Sequence, residues 1–206
     1  MLYLLGVLIL KPIMLLYGRP KVQNRAALKS KGKVIYVSNH VKMSDPLWIV
    51  CVTTRFIHFM AKSTLFSSKL MRAIFRMLLC FPVNQRTADT KAIKQAVELL
   101  NKGKAFGIFP EGRRAVADEM DDFEKGTALI AARTEAPIVP IYISPTTYTG
   151  SHRLRMIVGE KIYAKDVKAK AGNRRIVDAL TERMQSDMEE LKERMEEIVA
   201  LKKAKA

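Results

Sequence analysis

Short β-type segments alternate with helical segments through most of this 206-residue chain. Segments rich in β-branched and aromatic residues are predicted strands, at residues 33–38, 56–61, 104–109, 137–143 and 154–158. The segments between them carry apolar residues at helical spacing, at residues 45–54, 67–79, 87–101 and 126–134. Parallel strands need a long crossover between them, most often a helix. The pattern therefore predicts one α/β domain with a mixed, substantially parallel sheet that is flanked by helices.

The last 34 residues, 173–206, form one long helical pattern. Its apolar residues recur at steps of three and four, at Ile176, Leu180, Met184, Met188, Leu191, Met195 and Ile198. Charges of both signs occupy the other faces, which favours a helix packed on the domain or on a partner over insertion into a membrane.

The composition is that of a folded protein with a reduced interior. Apolar residues make up 49% of the chain, which excludes a disordered protein. Cys51 and Cys80 both lie among apolar residues and have no histidine at the spacing of a metal site. They indicate free thiols in a cytosolic compartment, and neither a structural metal nor a cofactor is predicted.

The net charge of +16 is concentrated in the first half of the chain. Residues 1–103 hold 17 Lys or Arg against 3 Asp or Glu, whereas residues 104–206 hold 19 against 17. Such a basic half implies an anionic partner: nucleic acid, an anionic lipid surface or a phosphate-bearing substrate. Nucleic acid is disfavoured, because the sequence has neither a reader motif nor basic residues interleaved with exposed aromatics.

The first 17 residues are apolar except for the interruption at Lys11-Pro12. A membrane-spanning helix needs roughly 20 apolar residues, and a signal peptide would have a basic start and a small-residue cleavage site. The segment instead predicts an interfacial or half-inserted anchor, with a buried core helix as the alternative. A basic cluster follows it, at Arg19, Lys21, Arg25, Lys29, Lys31 and Lys33. The cluster favours an anionic membrane surface and the cytoplasmic face of the cell membrane.

A histidine and an aspartate lie five positions apart in Asn39–Pro46, directly after a predicted strand. An imidazole beside a carboxylate can take a proton from a hydroxyl, because the carboxylate orients the ring and stabilises its protonated form. The pair His40 and Asp45 is therefore a candidate general base and its partner. Asp45-Pro46 is also typical of a helix start, with Asp45 as N-cap, and the two roles are compatible.

A second motif, Phe109–Ala115, follows another predicted strand. Gly112 would allow the backbone to approach a ligand closely. The guanidinium groups of Arg113 and Arg114 offer planar donors that match phosphate oxygens.

With these two motifs the chain resembles the 1-acylglycerol-3-phosphate acyltransferases, whose signatures are Asn-His-x-x-x-x-Asp and Phe-Pro-Glu-Gly. Two further blocks agree in order and spacing: Ala61-Lys62 followed by Phe81–Asn84, and Ala136–Pro140. The resemblance covers roughly residues 34–143. The chain departs from the family pattern in two blocks. Arg113 and Ala115 replace a Thr and a Ser, and Gln85 holds the place of an Arg, which follows one position later as Arg86.

The resemblance implies transfer of a fatty acyl group from acyl-CoA or acyl carrier protein to the sn-2 hydroxyl of lysophosphatidic acid. His40 would be the general base and Asp45 its partner. Lys62, Arg86, Glu111, Gly112 and Arg114 would bind substrate. Glu111 would accept a hydrogen bond from the acceptor's hydroxyl, or orient Arg114 or Lys62. The chain then divides into a membrane-associating segment (1–33), a catalytic core (34–165) and a C-terminal helix (166–206).

Two alternatives stay open. Glycerol-3-phosphate or another lysophospholipid is a rival acceptor within the same enzyme class. A non-enzymatic basic protein that binds membranes or nucleic acid would explain the charge, but it would leave His40, Asp45 and Glu111 without a role.

Overall fold

The computed structural model describes residues 11–84, 89–114, 120–145, 154–172 and 175–204. Within these ranges seven strands form one sheet. The strands are β1 (Lys21–Gln23), β2 (Val34–Ser38), β3 (Ile57–Lys62), β4 (Cys80–Val83), β5 (Ala105–Ile108), β6 (Ile138–Ile143) and β7 (Arg155–Val158). Their order across the sheet is β1-β7-β6-β2-β5-β3-β4.

The sheet is parallel except at one pair of neighbours. β6 and β7 run antiparallel, and every other neighbouring pair is parallel. The prediction of a mixed, substantially parallel sheet is confirmed. Because β2, β3, β4, β5 and β6 share one direction, their carboxyl ends lie along one edge, where open α/β sheets bind ligands.

Six helices accompany the sheet in the described ranges. They are α1 (Asp45–Val52), α2 (Lys69–Met77), α3 (Thr90–Asn101), α4 (Gly126–Thr134), α5 (Ala164–Ala171) and α6 (Ile176–Lys203), with short 3₁₀ turns at Arg25–Leu28 and Ser63–Phe66. The helical residues 11–18 precede β1. The predicted helix at 126–134 has the observed bounds, and the other predicted elements shift by three residues or fewer at their ends.

The helices cover both faces of the sheet. Side chains alternate between the faces along a strand, so in β2 Ile35 and Val37 join the core under α3, α4 and α6. Val34 and Tyr36 point to the opposite face and pack with Trp48 of α1. All four of these β2 residues are fully buried.

The C-terminal helix packs on its own domain, as the spacing of its apolar residues predicts. Leu180, Met184, Met188, Leu191 and Met195 are all buried, each at most 3% exposed. Their stripe lies in the same core as the residues of α4 and β6. The alternative of a partner molecule is not needed to cover these side chains.

Three elements are absent from the sequence-based prediction. β1 has only three residues, β4 contains Pro82 at the edge of the sheet, and α5 is largely polar. Short or polar segments carry a weak periodic signal, and their pairing depends on distant strands. β1 belongs to the sheet although it lies within residues 1–33, the segment predicted to associate with a membrane. The division of the chain into three segments stays a prediction.

The helical residues 11–18 pack against α1. A Cβ atom at Gly18 would lie 2.3 Å from the Trp48 ring, so only glycine allows this approach. Lys11 Nζ donates a hydrogen bond to the carbonyl oxygen of Thr53 at 3.0 Å. The predicted anchor begins in residues 1–10, which lie outside the described residues. Among the described helices, none combines the length and the apolar character that crossing a bilayer requires.

Candidate active site

The predicted site residues gather at the carboxyl edge of the sheet. His40 follows β2, Lys62 ends β3, and Glu111, Gly112 and Arg114 follow β5. β2 and β5 are paired, with Val37 opposite Ile108, so the two signature loops leave neighbouring strands side by side. Arg86 lies outside the described residues, and its predicted role as a phosphate ligand stays a prediction.

His40 and Asp45 form a hydrogen-bonded pair. The Nδ1 atom of His40 lies 3.0 Å from Oδ2 of Asp45, which is completely buried. An ionised carboxylate only accepts hydrogen bonds, so the shared proton belongs to Nδ1. This leaves Nε2 as the ring nitrogen with the lone pair. The His40 side chain is 19% exposed, and it lines a large cavity.

The same oxygen of Asp45 also organises the loop between β2 and α1. It accepts hydrogen bonds from the backbone N–H groups of Val41 and Lys42, both at 2.7 Å. The prediction of Asp45 as the N-cap of α1 is wrong. Ser44 is the N-cap, and Asp45 is the first helical residue. Its carboxylate turns back toward the loop because three donors converge there.

An aromatic stack also holds the imidazole ring of His40 in place. The His40 and Phe109 rings lie 4.1 Å apart with an interplanar angle of 20°. Phe59 stacks on Phe109 in turn, at 6.1 Å. Phe109 is the first residue of the second motif, so the two motifs contact each other through these rings as well as through hydrogen bonds.

Glu111 lies behind the histidine and is 5% exposed. Its Oε1 accepts a hydrogen bond from the backbone N–H of His40 at 3.2 Å. Its Oε2 is buried and makes no hydrogen bond to the described part of the chain. Burial raises the pKa of Glu111, and the backbone N–H groups of His40 and Asp121 oppose that shift. Within the described ranges the hydrogen-bond partner of its side chain is the His40 N–H, and no hydrogen bond to Arg114 or Lys62 is present.

Gly112 adopts a left-handed backbone conformation, with φ +68°. A Cβ atom there would also lie 2.7 Å from a carboxylate oxygen of Glu124. The turn is closed by the Gly112 N–H, which donates to the carbonyl oxygen of Phe109 at 3.2 Å. Both the conformation and the close neighbour favour glycine at this position.

Five cationic side chains line the cavity: Lys11, Lys62, Arg113, Arg114 and Lys125. Lys62, Arg113 and Arg114 belong to the predicted signature blocks, and all three are exposed. The Arg113 guanidinium also forms an ion pair with Asp121 at 2.8 Å. A planar guanidinium and an ammonium at the end of a cleft can bind a phosphate.

Asn39 connects the catalytic loop to β6. Its Nδ2 donates to the carbonyl oxygen of Ile143 at 2.9 Å, and its Oδ1 accepts from the N–H of Ile143 at 2.8 Å. The side chain is buried, so these two bonds fix the end of β2 against β6. The sequence showed Asn39 within the first motif, but it did not indicate this structural role.

The cavity that these groups border has a volume of about 860 Å³, which lies in the range of ligand sites. Its lining includes His40, Lys62 and Arg114, which lie at or just after strand ends at the carboxyl edge of the sheet. Apolar side chains from β3, β5, α3 and α4 line much of the remainder: Phe59, Met60, Ile93, Ile108, Leu129 and Ile130. The cavity therefore combines a basic group, cations and an apolar wall.

Comparison with known proteins identifies the family. The family profile described as Acyltransferase matches residues 19–144, more than half of the chain. The 1-acyl-sn-glycerol-3-phosphate acyltransferase of Bacillus subtilis is 28% identical over 194 residues, which cover 92% of this chain and 96% of that protein. The enzyme of the same name from Streptococcus pneumoniae is 30% identical over 166 residues, 77% of this chain and 60% of that protein.

A solved structure shares the fold. The crystal structure of the 1-acyl-sn-glycerophosphate acyltransferase PlsC from Thermotoga maritima superposes with a TM-score of 0.69 at 22% identity. The match covers 92% of this chain and 80% of that chain. The resemblance seen in the four sequence blocks is thus confirmed over a longer span, and this chain belongs to the acyltransferase family.

Proposed function

We propose that this protein esterifies the sn-2 hydroxyl of 1-acylglycerol-3-phosphate with a fatty acyl group from a thioester donor, giving phosphatidic acid. One observation carries the proposal: the Asp45-bound ring of His40 lines an apolar cavity that also holds Lys62 and Arg114. The names of the Bacillus and Streptococcus relatives favour this acceptor over glycerol-3-phosphate.

In the proposed reaction His40 acts as the general base. Its Nε2 takes the proton of the acceptor hydroxyl while the hydroxyl oxygen attacks the thioester carbonyl. Asp45 stabilises the imidazolium that forms, because its buried carboxylate already holds Nδ1. The carbon–sulfur bond then breaks, and the proton passes from Nε2 to the leaving thiolate. General base catalysis of this kind contributes roughly 10²–10⁴-fold.

Direct transfer to the acceptor is favoured over a covalent acyl-cysteine. Both cysteines line the cavity, but burial raises the pKa of Cys80 to about 12. Burial also raises the pKa of Cys51, with Lys11 opposing the shift. Thiols protonated at neutral pH are poor nucleophiles. The hydroxyl of the acceptor therefore attacks the donor itself.

The two ends of the acceptor match the two parts of the cavity. Arg114 and Lys62, with Arg86 as a further ligand, bind the phosphate, and the apolar wall accommodates hydrocarbon. Acyl-CoA and acyl carrier protein are the proposed donors. Both are anionic, as is the membrane surface that we propose the basic residues 1–33 contact at the cytoplasmic face.

A thiol-release assay with acyl-CoA tests the proposal. The wild-type chain is expected to release CoA when 1-acylglycerol-3-phosphate is present, and to release less with glycerol-3-phosphate or with a lysophospholipid that carries a larger headgroup. Mass spectrometry should identify phosphatidic acid as the product. Acyl carrier protein replaces CoA in a parallel assay.

The His40→Ala variant is the matched control. It should keep the wild-type circular dichroism spectrum and melting temperature but lose nearly all acyl transfer, because the proposed general base is removed. Wild-type turnover by the purified variant would refute the mechanism. Absence of thiol release by the wild-type chain with every acceptor and both donors would instead favour the non-enzymatic membrane-binding alternative.

A further inference from the structure

Helix α2 presents an apolar surface to solvent. Leu70 is 70% exposed, Met71 38% and Ile74 36%, and every residue of this helix is exposed or half-buried. The core-facing helices α3, α4 and α6 contrast with it, because each contributes several buried side chains. A contiguous exposed apolar surface is typical of an interaction site.

The helix is nevertheless firmly attached to the domain. Ser68 caps its start by accepting a hydrogen bond from the N–H of Met71 at 3.2 Å. Arg72 Nε donates to the carbonyl oxygen of Phe66 at 3.2 Å, and the ring of Phe75 packs on that of Phe66 at 5.4 Å. These contacts hold the helix on the domain, with Leu70 and Ile74 exposed to solvent.

The helix is amphipathic, and its charges have one sign. At about 100° per residue, Leu70, Ile74 and Met77 fall within an arc of roughly 60°. Lys69, Arg72 and Arg76 fall in a similar arc on another side. Long Lys and Arg side chains can extend from the flank of a helix to the lipid headgroups while apolar residues of the same helix insert among the acyl chains. This arrangement is typical of a helix that lies in a membrane interface.

The first 88 residues of the chain, which include α2, carry charges of almost entirely one sign. Residues 1–88 contain fourteen Lys and Arg but a single acidic residue, Asp45, which is completely buried. Exposed charge in this part of the chain is therefore cationic. An anionic bilayer complements both features of this surface, because its headgroups match the cations and its acyl chains match the exposed Leu70 and Ile74. An acidic protein surface would match the cations alone.

The position of α2 relates this surface to the cavity. Phe75 on the same helix lines the cavity, as do Leu65 before the helix and Leu78 after it. Met43, which is 63% exposed, lines the cavity beside His40. A bilayer that covered α2 would thus lie next to residues that line the cavity.

From these observations we infer that α2 docks on an anionic bilayer and places the cavity at the membrane surface, so that a lipid substrate enters directly from the leaflet. The inference rests on the proposed function for the lipid nature of that substrate. Leu70 and Ile74 insert among the acyl chains, and Lys69 and Arg76 contact lipid phosphates. This contact is distinct from the one predicted for the N-terminal segment.

Fluorescence quenching by brominated phospholipids tests the contact directly. The full chain has one tryptophan, so Leu70→Trp is made in a Trp48→Phe background and mixed with vesicles of phosphatidylglycerol and phosphatidylcholine. Strong quenching of the new indole is expected. The matched control is Leu201→Trp, at a position 63% exposed on α6. Quenching no stronger than that of the control would overturn the inference.

A second measurement avoids the Trp48 substitution. The Leu70→Ser, Ile74→Ser double variant should bind the same vesicles at least about tenfold more weakly than wild type, because two apolar side chains no longer insert. The Leu201→Ser variant should bind as wild type does. Lys69→Glu with Arg76→Glu should also weaken binding about tenfold, with Lys168→Glu and Lys170→Glu on α5 as the control pair. Equal vesicle affinities for variants and controls would contradict the inference.

Thiol release from short-chain, water-soluble substrates without vesicles separates the two proposals. The α2 variants should keep this activity and lose activity only toward substrate presented in vesicles. Activity equal to wild type on both kinds of substrate would overturn the docking role of α2, while the acyl-transfer proposal would stand.

Discussion

The carboxylate of Glu111 accepts a hydrogen bond from the backbone N–H of His40 at 3.2 Å. This bond ties the loop after β5 to the loop after β2, and it places a buried acid against the backbone of the proposed base. The sequence predicts that Glu111 accepts a hydrogen bond from the acceptor's hydroxyl or orients Arg114 or Lys62, and that role stays a prediction. The bond to the His40 N–H adds a second candidate role, the positioning of the base.

Substitutions at Glu111 distinguish positioning from substrate binding. Glu111→Ala removes the acceptor of the His40 N–H bond and should lower kcat about 10–100-fold, with little change in the acceptor's KM. Glu111→Gln keeps a carbonyl oxygen in the same place and should stay within about tenfold of wild type. Steady-state kinetics with both substrates check this. A large rise in the acceptor's KM with unchanged kcat would instead favour direct binding.

The pairing of Asp45 with His40 predicts the effect of Asp45→Asn. The neutral amide stabilises an imidazolium poorly, and its NH₂ group competes for the position that Nδ1–H now holds. We expect kcat to fall roughly 10²–10⁴-fold, measured by thiol release. Asp187→Asn, which removes a surface i,i+4 ion pair with Arg183, is the control and should retain full activity. A loss of less than tenfold would contradict the proposed dyad.

Asn39 is predicted to stabilise the fold more than it contributes to chemistry. Asn39→Ala leaves the buried N–H and carbonyl groups of Ile143 without their partners, which should cost roughly 2–4 kcal/mol in the free energy of unfolding. Urea denaturation measures this difference. Asn101→Ala at the exposed end of α3 is the comparison and should change stability by less than about 1 kcal/mol. Equal stabilities would show that the two bonds to β6 contribute little.

The two arginines after Gly112 should differ in their effect on the acceptor. Arg114→Ala removes an exposed guanidinium at the cavity and should raise the KM of the phosphate-bearing acceptor about 10–100-fold. Arg113→Ala should raise it less, because the Arg113 guanidinium is already paired with Asp121. Kinetics with the acceptor varied at saturating donor give both values. The reverse ranking would assign the phosphate to Arg113.

His58 should make the fold less stable in mild acid. Burial lowers the pKa of His58 below 6.5, the hydrogen bond to the Ala105 carbonyl opposes that shift, and Lys104 lowers the pKa further. The unfolded chain therefore binds the proton more readily than the folded chain, and stability is lost as pH falls through about 6.5. His58→Gln removes this linkage. Its free energy of unfolding should change less between pH 7.5 and 5.5 than that of wild type, by urea denaturation.

The fold class could be predicted from the amino-acid order, because strand and helix periods alternate along it. The long apolar stripe of α6 could be predicted too, because its spacing repeats over about six turns. The sequence also determined the family, since four short blocks recur in order. The candidate pair His40 and Asp45 could be predicted because its two members lie only five positions apart, within one of these blocks.

The contacts of the groups around that pair depend on how distant parts of the chain pack together. Glu111 is 71 positions from His40, and Ile143 is 104 positions from Asn39, so no local pattern relates them. The direction of the Asp45 carboxylate depends on two loop amides, and the Phe109 stack depends on the pairing of β2 with β5. The exposure of α2 could not be predicted from its sequence either. An amphipathic period fits a helix packed on a sheet and a helix on a membrane surface equally well.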